Sequence, residues 1–456
     1  MLDLNNLFAH SLARLDDKCD EIRREVGDIS PYKYCGKLIS AFGTIITAFL
    51  PDVKIGDLCQ ISNNNISLRL IAEVIAIDGK KVKLLPYGSI ENISQDCRVE
   101  KLSSGFNVKI GDWILGHMID GFGNISGSIA PNEVSQTYAN THSLPVMCLA
   151  PDPLSRPLID KQLITGVKSI DMFTPCGYGQ RVGIFAGPGM GKTTLMGMIL
   201  RGADVDIIVV ALVGERGREV REFIDLELDA ETRKKTVLVV ATSDRPPVEQ
   251  VKCVYTAQTI CEYFRDQGKR VLLFVDSITR FARAGREVGL SAGEPVTRGG
   301  FPPSVFLSFP KLMERAGNNA KGSITAFYTV LMEGEQLNQD PIADEIKSII
   351  DGHIILSRKL AEQGHFPAVD VLQSLSRVGD RIISEQQLKN TRHLRLLLSK
   401  HAELEFLIRV GEYKAGNDAL ADEAVAKHKL INKLLTQDRQ TFEEFTKVLS
   451  EVNQLN

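Results

Sequence analysis

A glycine-rich segment between an apolar run and a predicted helix is the part of the 456-residue chain best suited to chemistry. Glycines let backbone N–H groups close around a phosphate, and the N-terminus of the following helix adds positive potential. In this segment Lys192 can reach β- and γ-phosphate oxygens, and the Thr193 hydroxyl can ligate Mg²⁺. The segment is a P-loop, which predicts binding of a nucleoside triphosphate with Mg²⁺. Its candidate binding residues are Gly187, Pro188, Gly189, Met190, Gly191, Lys192, Thr193 and Thr194.

Carboxylates after two later apolar runs could act on such a ligand. Asp276 follows the run 271–275, and a carboxylate beside a P-loop can hold magnesium, partly through its water shell. Glu215 comes just after the run 207–213 and could orient and deprotonate the attacking water, although charged residues are also common where a helix begins. Arg280 could stabilise charge on the γ-phosphate or pair with a nearby acid, and its position leaves both readings open.

A sheet is needed to bring these residues together, and the pattern after residue 160 predicts one. Short apolar runs typical of buried parallel strands alternate there with helical stretches, which indicates an α/β domain with helices on both faces of its sheet. The predicted strands are 181–185, 207–213, 237–241, 271–275 and 324–331, and the predicted helices are 193–200, 218–228 and 248–266.

The flanking regions have other patterns. Residues 1–30 carry apolar side chains spaced alternately by four and three, which predicts an amphipathic helix that packs on its own barrel, on a partner or on a membrane surface. Residues 31–95 hold short β-rich runs separated by turn residues, which predicts a small β-barrel. We expect the P-loop domain to span 96–364 and a helical domain to span 365–456.

Composition excludes several other classes of protein. Lys and Arg number 54 against 57 Asp and Glu, a net charge of −3, which argues against a protein that coats a nucleic-acid backbone. No apolar run approaches the ~20 residues that span a bilayer, and the first thirty residues do not resemble a secretory signal. Eight cysteines show no metal-ligand spacing and suggest reduced thiols. We expect a soluble cytoplasmic protein with no nucleic-acid partner.

Longer strings resemble the ATPases of bacterial type III protein export, which serve flagellar assembly and injectisomes. That family is itself similar to the catalytic subunit of rotary ATP synthases. The resemblance covers about residues 36–430 and implies a RecA-like P-loop core between the barrel and the helical domain. The matching strings, besides the P-loop, are 179–187, 214–220, 240–244, 264–268, 322–331, 351–358, 366–370 and 374–377.

The resemblance implies roles for single residues of the P-loop domain. Lys192 and Thr193 would bind phosphate and Mg²⁺, and Asp276 would lie at the metal. Glu215 would be the general base that activates water.

The resemblance gives roles to Arg216, Phe366 and Arg377, and it makes the role of Arg280 more specific. Arg216 and Arg280 would contact γ-phosphate oxygens. Phe366 would stack on the adenine ring, where relatives usually have tyrosine, so stacking is kept and the hydroxyl is lost. Arg377 would reach across a subunit interface to the γ-phosphate bound by the neighbouring subunit.

The resemblance implies an ATP-hydrolysing homohexamer that releases chaperones from export substrates and unfolds them. A single chain with both Glu215 and Arg377 fits such a ring, because each subunit supplies a base to one site and an arginine to the next. The alternatives are a rotary ATP synthase-type catalytic subunit and a ring-shaped nucleic-acid translocase. The strings 322–328 and 351–354 resemble export ATPases and argue against the first, and the charge balance argues against the second.

The resemblance also implies partners and a location. A stator or regulator protein would bind residues 1–30, and chaperones and substrates would bind 365–456. Export-gate and stalk components would complete the assembly, with only peripheral association at the inner membrane. The strings 343–346 and 408–414 favour an injectisome over a flagellum.

Overall fold

The computed structural model describes residues 34–63, 68–130, 140–332 and 340–455, without side chains at 454–455. The helix predicted for residues 1–30 lies outside these ranges. The chain divides into two compact units after Ser104. Within the described ranges, no helix is both long enough and apolar enough to cross a membrane.

The first unit is a closed antiparallel β-barrel. Its strands are β1 (Cys35–Phe42), β2 (Ile45–Phe49), β3 (Leu58–Asn63), β4 (Leu68–Asp78), β5 (Lys81–Pro86) and β6 (Arg98–Ser103). They are ordered β1-β2-β5-β4-β3-β6 around the barrel, so that each pairs on both sides. β6 lies beyond residue 95, the predicted end of the barrel, because it is the strand that closes the barrel between β1 and β3.

The second unit is built on a mostly parallel sheet. Strands in this unit are β7 (Asn107–Ile110), β8 (His117–Asp120), β9 (Ile125–Ser128), β10 (His142–Pro145), β11 (Gln162–Leu163), β12 (Cys176–Gly177), β13 (Arg181–Ala186), β14 (Ile207–Val213), β15 (Thr236–Ala241), β16 (Arg270–Asp276), β17 (Gly317–Asn318), β18 (Ser323–Leu331), β19 (Gly352–Ile355) and β20 (Leu375–Ser376). The main sheet is ordered β20-β19-β13-β18-β16-β14-β15-β8-β9. Its five central strands are parallel and confirm the predicted strands, and β14 is buried along its whole length.

Helices connect these strands and follow them in the chain. They are α1 (Lys168–Phe173), α2 (Lys192–Gly202), α3 (Gly217–Glu227), α4 (Ala230–Lys234), α5 (Pro247–Asp266), α6 (Ile278–Ala292), α7 (Pro303–Met313), α8 (Pro341–Ile349), α9 (Arg358–Glu362), α10 (Gly379–Ile382), α11 (Glu385–Arg409), α12 (Ala419–Leu435) and α13 (Phe445–Leu455). The predicted helices correspond to α2, α3 and α5. The barrel, the α/β unit and the helical C-terminal region together confirm the predicted fold class.

The C-terminal helices share one hydrophobic core with the sheet. Leu394 and Leu397 on α11 and Ile431 on α12 are buried in the same apolar cluster as Ile170 on α1 and Ile184 on β13. The C-terminal helices and the P-loop strand are therefore parts of one close-packed interior.

Candidate functional site

The P-loop connects the carboxyl end of β13 to the first residue of α2. Gly189 and Gly191 have φ values of +77° and +81°, a left-handed conformation that favours glycine. The side chain of Met190 is buried beneath the loop, and its sulfur accepts a hydrogen bond from the Gly187 N–H at 3.2 Å. Space around Gly189 is open, so a ligand can approach the backbone there.

Charged side chains from three elements meet next to this loop. Lys192, at the start of α2, contacts Asp276 at the end of β16, and its Nζ lies 3.9 Å from Glu215 Oε1. The Arg280 Nη1 atom, from the first turn of α6, lies 2.5 Å from the same Glu215 oxygen. Parallel strands end at a common edge of their sheet, so the topology itself brings Glu215 and Asp276 together.

Glu215 has an unusual electrostatic environment for a carboxylate. Burial raises its pKa to about 7, assisted by its hydrogen bond with Glu219 and by the nearby Asp276 charge, while Arg280 and Lys192 oppose the rise. A carboxylate with a pKa near neutrality can accept a proton at physiological pH. The site can therefore supply a base as well as cations.

A cavity of about 600 Å³ lies against these groups, within the range of small-molecule sites. Pro188, Lys192, Thr193, Glu215, Asp276 and Arg280 line it, and all six were predicted site residues. The buried Arg280 Nη1 has no hydrogen bond of good geometry, although it lies next to Glu215. Two cationic side chains, Lys192 and Arg280, line the same cavity, which fits an anionic ligand.

Magnesium ligation can be tested against the oxygen donors of the same cavity. Thr193 offers an exposed hydroxyl and Asp276 a carboxylate, both of which are hard ligands that suit Mg²⁺. No group of three or more His, Cys, Asp or Glu in the described ranges could hold a metal ion. The donor set fits a cation that the protein binds through one or two oxygens and a phosphate-bearing ligand completes.

Phe366 lies beside the P-loop, as predicted for a residue that stacks on a base. A Cβ atom added at Gly191 would lie 3.5 Å from its ring, and the ring is partly exposed. The Phe366 carbonyl accepts a hydrogen bond from the Gln437 N–H at 2.9 Å, just after α12 ends. The aromatic ring is thus held between the P-loop and the C-terminal helices.

Two predicted arginines are not part of this cluster. Arg216 precedes α3 with an exposed side chain 3.7 Å from Glu219, and it does not line the cavity within the described part of the chain. Arg377 follows β20 near the amino end of β13, away from the P-loop. There Ser376 on β20 pairs with Gly352 on β19, and Gly352 pairs with Val182 on β13. Val182 is four residues before Ala186, the end of β13, so roughly 13 Å of strand separates this position from the P-loop.

The structure adds two residues that the sequence analysis gave no role. Thr329 on β18 donates a hydrogen bond to Asp276 Oδ1 at 2.8 Å, and Glu219 interacts with Glu215 from the first turn of α3. A threonine within the apolar run 324–331 was the available signal for the first. The second was visible only as one acid among several in a charged segment.

Three family descriptions match the chain. Residues 38–103 match the ATP synthase alpha/beta family, beta-barrel domain, and residues 166–376 match the nucleotide-binding domain of the same family. Residues 383–454 match the T3SS EscN ATPase C-terminal domain. The three matches follow the order of barrel, α/β sheet and C-terminal helices.

Full-length proteins match over most of the chain. The type 3 secretion system ATPase of Sinorhizobium fredii is 45% identical over 420 residues, 92% of each protein. The flagellum-specific ATP synthase of Treponema pallidum is 43% identical over 426 residues, 93% of this chain and 94% of that protein. The solved structure of the assembled ATPase EscN from enteropathogenic E. coli is 47% identical, with a TM-score of 0.85 over 92% of this chain and 99% of that one. EscN was also solved in complex with its central stalk EscO, with a TM-score of 0.84.

Proposed function

We propose that this chain, which belongs to the family of type III secretion and flagellar export ATPases and so hydrolyses ATP, is the motor of a bacterial export apparatus. In this role it releases chaperones from export substrates and unfolds the substrates. One observation carries the proposal. Lys192, Glu215, Asp276 and Arg280 converge on a single cavity beside the P-loop, in a chain that is 47% identical to EscN.

The P-loop residues bind and orient the triphosphate. Backbone N–H groups of the loop and the α2 N-terminus receive the phosphates, and Lys192 exchanges its contact with Asp276 for phosphate oxygens. Thr193 and Asp276 hold Mg²⁺, which supplies neutralisation of phosphate charge when bound. Phe366 stacks on the base, which its place beside Gly191 supports.

Glu215 takes the proton of the attacking water. Its raised pKa makes the carboxylate a better proton acceptor than an ordinary glutamate, and Arg280 keeps it next to the cavity. Arg280 also stabilises the charge that develops on the γ-phosphate, and its place among the residues that line the cavity supports that role. Arg216 reaches the γ-phosphate only after leaving Glu219, so its contribution requires a rearrangement at the start of α3.

Arg377 acts on the neighbouring subunit of a homohexamer. Its position near the amino end of β13, away from the P-loop of its own chain, supports action on another copy, and its exposed side chain is available for that contact. The assembled state of EscN supports such a ring for this chain. An arginine supplied in trans typically contributes ~10³–10⁵ to the hydrolysis rate.

The remaining partners follow from the same family membership. We assign a stalk protein to the ring because EscN was solved with its stalk EscO. Chaperones and substrates bind the region 365–456, a stator or regulator binds residues 1–30, and the ring docks at the export gate. The protein is assigned to the cytoplasm with peripheral attachment to the inner membrane, and to an injectisome in preference to a flagellum.

Purified variants test the catalytic part of this proposal. Lys192→Ala and Glu215→Gln are expected to abolish ATP hydrolysis in folded protein, because one removes the phosphate cation and the other the base. Glu231→Gln is a matched control, since Glu231 is exposed on α4, away from the cavity, and pairs with Lys234. Substantial hydrolysis by both site variants would contradict the assignment.

Deletion of the gene tests the biological role. Paired assays of motility and of the secreted-protein profile separate the two host systems, because loss of secretion with intact motility identifies an injectisome. Loss of motility alone identifies a flagellum. A strain that loses neither would exclude the export role.

A further inference from the structure

Parts of three strings that resemble export ATPases lie away from the nucleotide cavity, and the structure brings these parts together at the opposite end of β13. They are the segment that enters β13, the residue before β19, and the strand β20 that leads to Arg377. Here β19 lies between β13 and β20, so the backbone around Arg377 is reached from β13 through a single intervening strand.

Asp351 connects Arg377 to β13 through both its backbone and its side chain. Its carbonyl accepts a hydrogen bond from the Arg377 N–H at 2.9 Å. Its carboxylate receives the guanidinium of Arg181 in a two-pronged contact, with Nε and Nη2 each 2.9 Å from an oxygen. The Arg181 N–H adds a third bond at 3.1 Å. Bidentate pairs of this kind fix orientation as well as distance.

The side chain of Gln180 also forms hydrogen bonds with the segments on either side of this contact. Its side chain is fully buried, and its Oε1 accepts a hydrogen bond from the Gly177 N–H at 2.8 Å. The Nε2 donates to the Asp351 carbonyl and to Ser376 Oγ, each at 3.1 Å. Both acceptors adjoin Arg377, one through a hydrogen bond and the other through the chain. A buried amide with this pattern specifies one arrangement of its neighbours.

The packing leaves little room for another arrangement. A Cβ atom at Gly352 would lie 2.8 Å from the Leu375 carbonyl oxygen and 2.9 Å from Gln180 Nε2. The antiparallel pair of β19 and β20 is therefore held at close range by the side chain of Gln180, while the Arg377 side chain itself is exposed.

We propose that Gln180, Arg181 and Asp351 form a clamp that positions Arg377 for its action on the nucleotide of the neighbouring subunit. The inference rests on the trans-acting role of Arg377 proposed above. The clamp residues touch neither nucleotide, so they are positioning residues. Because β13 runs from the clamp to the P-loop, one strand ties a subunit's own nucleotide site to the arginine that it offers to the next.

Gln180→Met tests the clamp, because it keeps the side-chain volume and removes the donors and the acceptor. We expect kcat of the assembled ATPase to fall about 10- to 100-fold, as misplacement of a catalytic group by ~1 Å does, with little change in the KM for ATP. Gln258→Met is the matched control, since Gln258 is also fully buried but lies on α5 and contacts Glu262. This control is expected to keep wild-type kcat.

Mixed rings distinguish lost positioning from damage to the variant's own site. Gln180→Met subunits carry an intact P-loop, and Lys192→Ala subunits carry an intact clamp and Arg377. In rings formed from equal amounts and purified through two different tags, about a quarter of the head-to-tail interfaces join the two intact halves. The rate per subunit should therefore rise to about a quarter of the wild-type rate, instead of falling to half that of Gln180→Met alone.

The same mixing with Arg377→Ala separates this inference from the proposed function. Recovery with Arg377→Ala but not with Gln180→Met would overturn the clamp, as would wild-type kcat for Gln180→Met alone. No recovery with Arg377→Ala would overturn the trans-acting arginine, and the clamp with it. If Gln180→Met does not fold, Ser376→Ala removes one contact at a partly exposed residue, and a several-fold loss of kcat with the same recovery is expected.

Discussion

The two ends of β13 carry charged clusters of opposite character. At the carboxyl end, Lys192 lies between two carboxylates, and the buried Arg280 Nη1 lacks a well-aligned hydrogen bond. At the amino end, Arg181 and Asp351 form a bidentate pair in which both hydrogen bonds are 2.9 Å long. The first cluster has contacts to exchange with a ligand, whereas the second has contacts that hold a backbone.

This difference separates binding chemistry from positioning chemistry in one strand. A cluster that must accept phosphate keeps ion pairs that a ligand can replace, and desolvation raises the pKa of its glutamate, Glu215, to about 7. A cluster that must hold two strands together benefits from saturated hydrogen bonds, because each unpaired buried group would cost about 1–3 kcal/mol. Perturbing each end should therefore produce different measurable effects.

Arg377→Ala should give the largest effect arising from the amino end. We expect oligomer-dependent hydrolysis to fall by ~10³–10⁵, because the charge supplied to the neighbouring γ-phosphate is lost. Nucleotide binding to the monomer should be unchanged, which fluorescence titration of an ATP analogue measures. Arg392→Ala is the control, since Arg392 is exposed and pairs with Asp380. Wild-type hydrolysis by Arg377→Ala at concentrations that favour assembly would contradict the trans role.

Glu215, in the cluster at the carboxyl end of β13, should determine how the rate of hydrolysis depends on pH. The base acts in its ionised form, and its pKa of about 7 means that kcat/KM should fall about tenfold for each pH unit below 7. Glu215→Gln should leave almost no hydrolysis at any pH in this range, because loss of a general base costs ~10²–10⁴ in rate. Initial rates between pH 5 and 8 measure both. A wild-type profile that stays flat down to pH 5 would exclude Glu215 as the base.

The carboxyl end was predictable from the sequence and the amino end was not. A P-loop has a fixed spacing, and Asp276 and Glu215 follow apolar runs whose burial as parallel strands places their ends together. Arg377 was found only through resemblance, because it is 196 residues from Arg181 in the chain and its neighbours depend on the order of β13, β19 and β20. Hydrogen bonds between strands distant in sequence leave no local pattern, so Gln180 and Thr329 were not assigned roles.

Gly352→Ala should reveal how tightly the amino end is packed. The added methyl meets a carbonyl oxygen at 2.8 Å, so we expect a loss of about 1–3 kcal/mol in the free energy of unfolding. Gly217→Ala is the control, because nothing lies within 4 Å of that position and it begins α3. The control should be neutral or stabilising by less than about 1 kcal/mol. Denaturant unfolding measures both, and equal stabilities would show that the pair of β19 and β20 adjusts easily to the added methyl group.

Two threonines on β18 offer the finest comparison between the ends. Thr329 donates to Asp276 at the carboxyl end, while Thr325, four residues earlier on the same buried face, accepts a hydrogen bond from the Gly179 N–H at 2.9 Å. Thr329→Val should raise the Mg²⁺ concentration needed for half-maximal hydrolysis about tenfold, since supporting hydrogen bonds orient metal ligands. Thr325→Val removes a bond of similar burial and should leave that dependence unchanged. Titration of the rate against Mg²⁺ at saturating ATP measures the difference, and equal shifts in the two variants would mean that the ends are not independent.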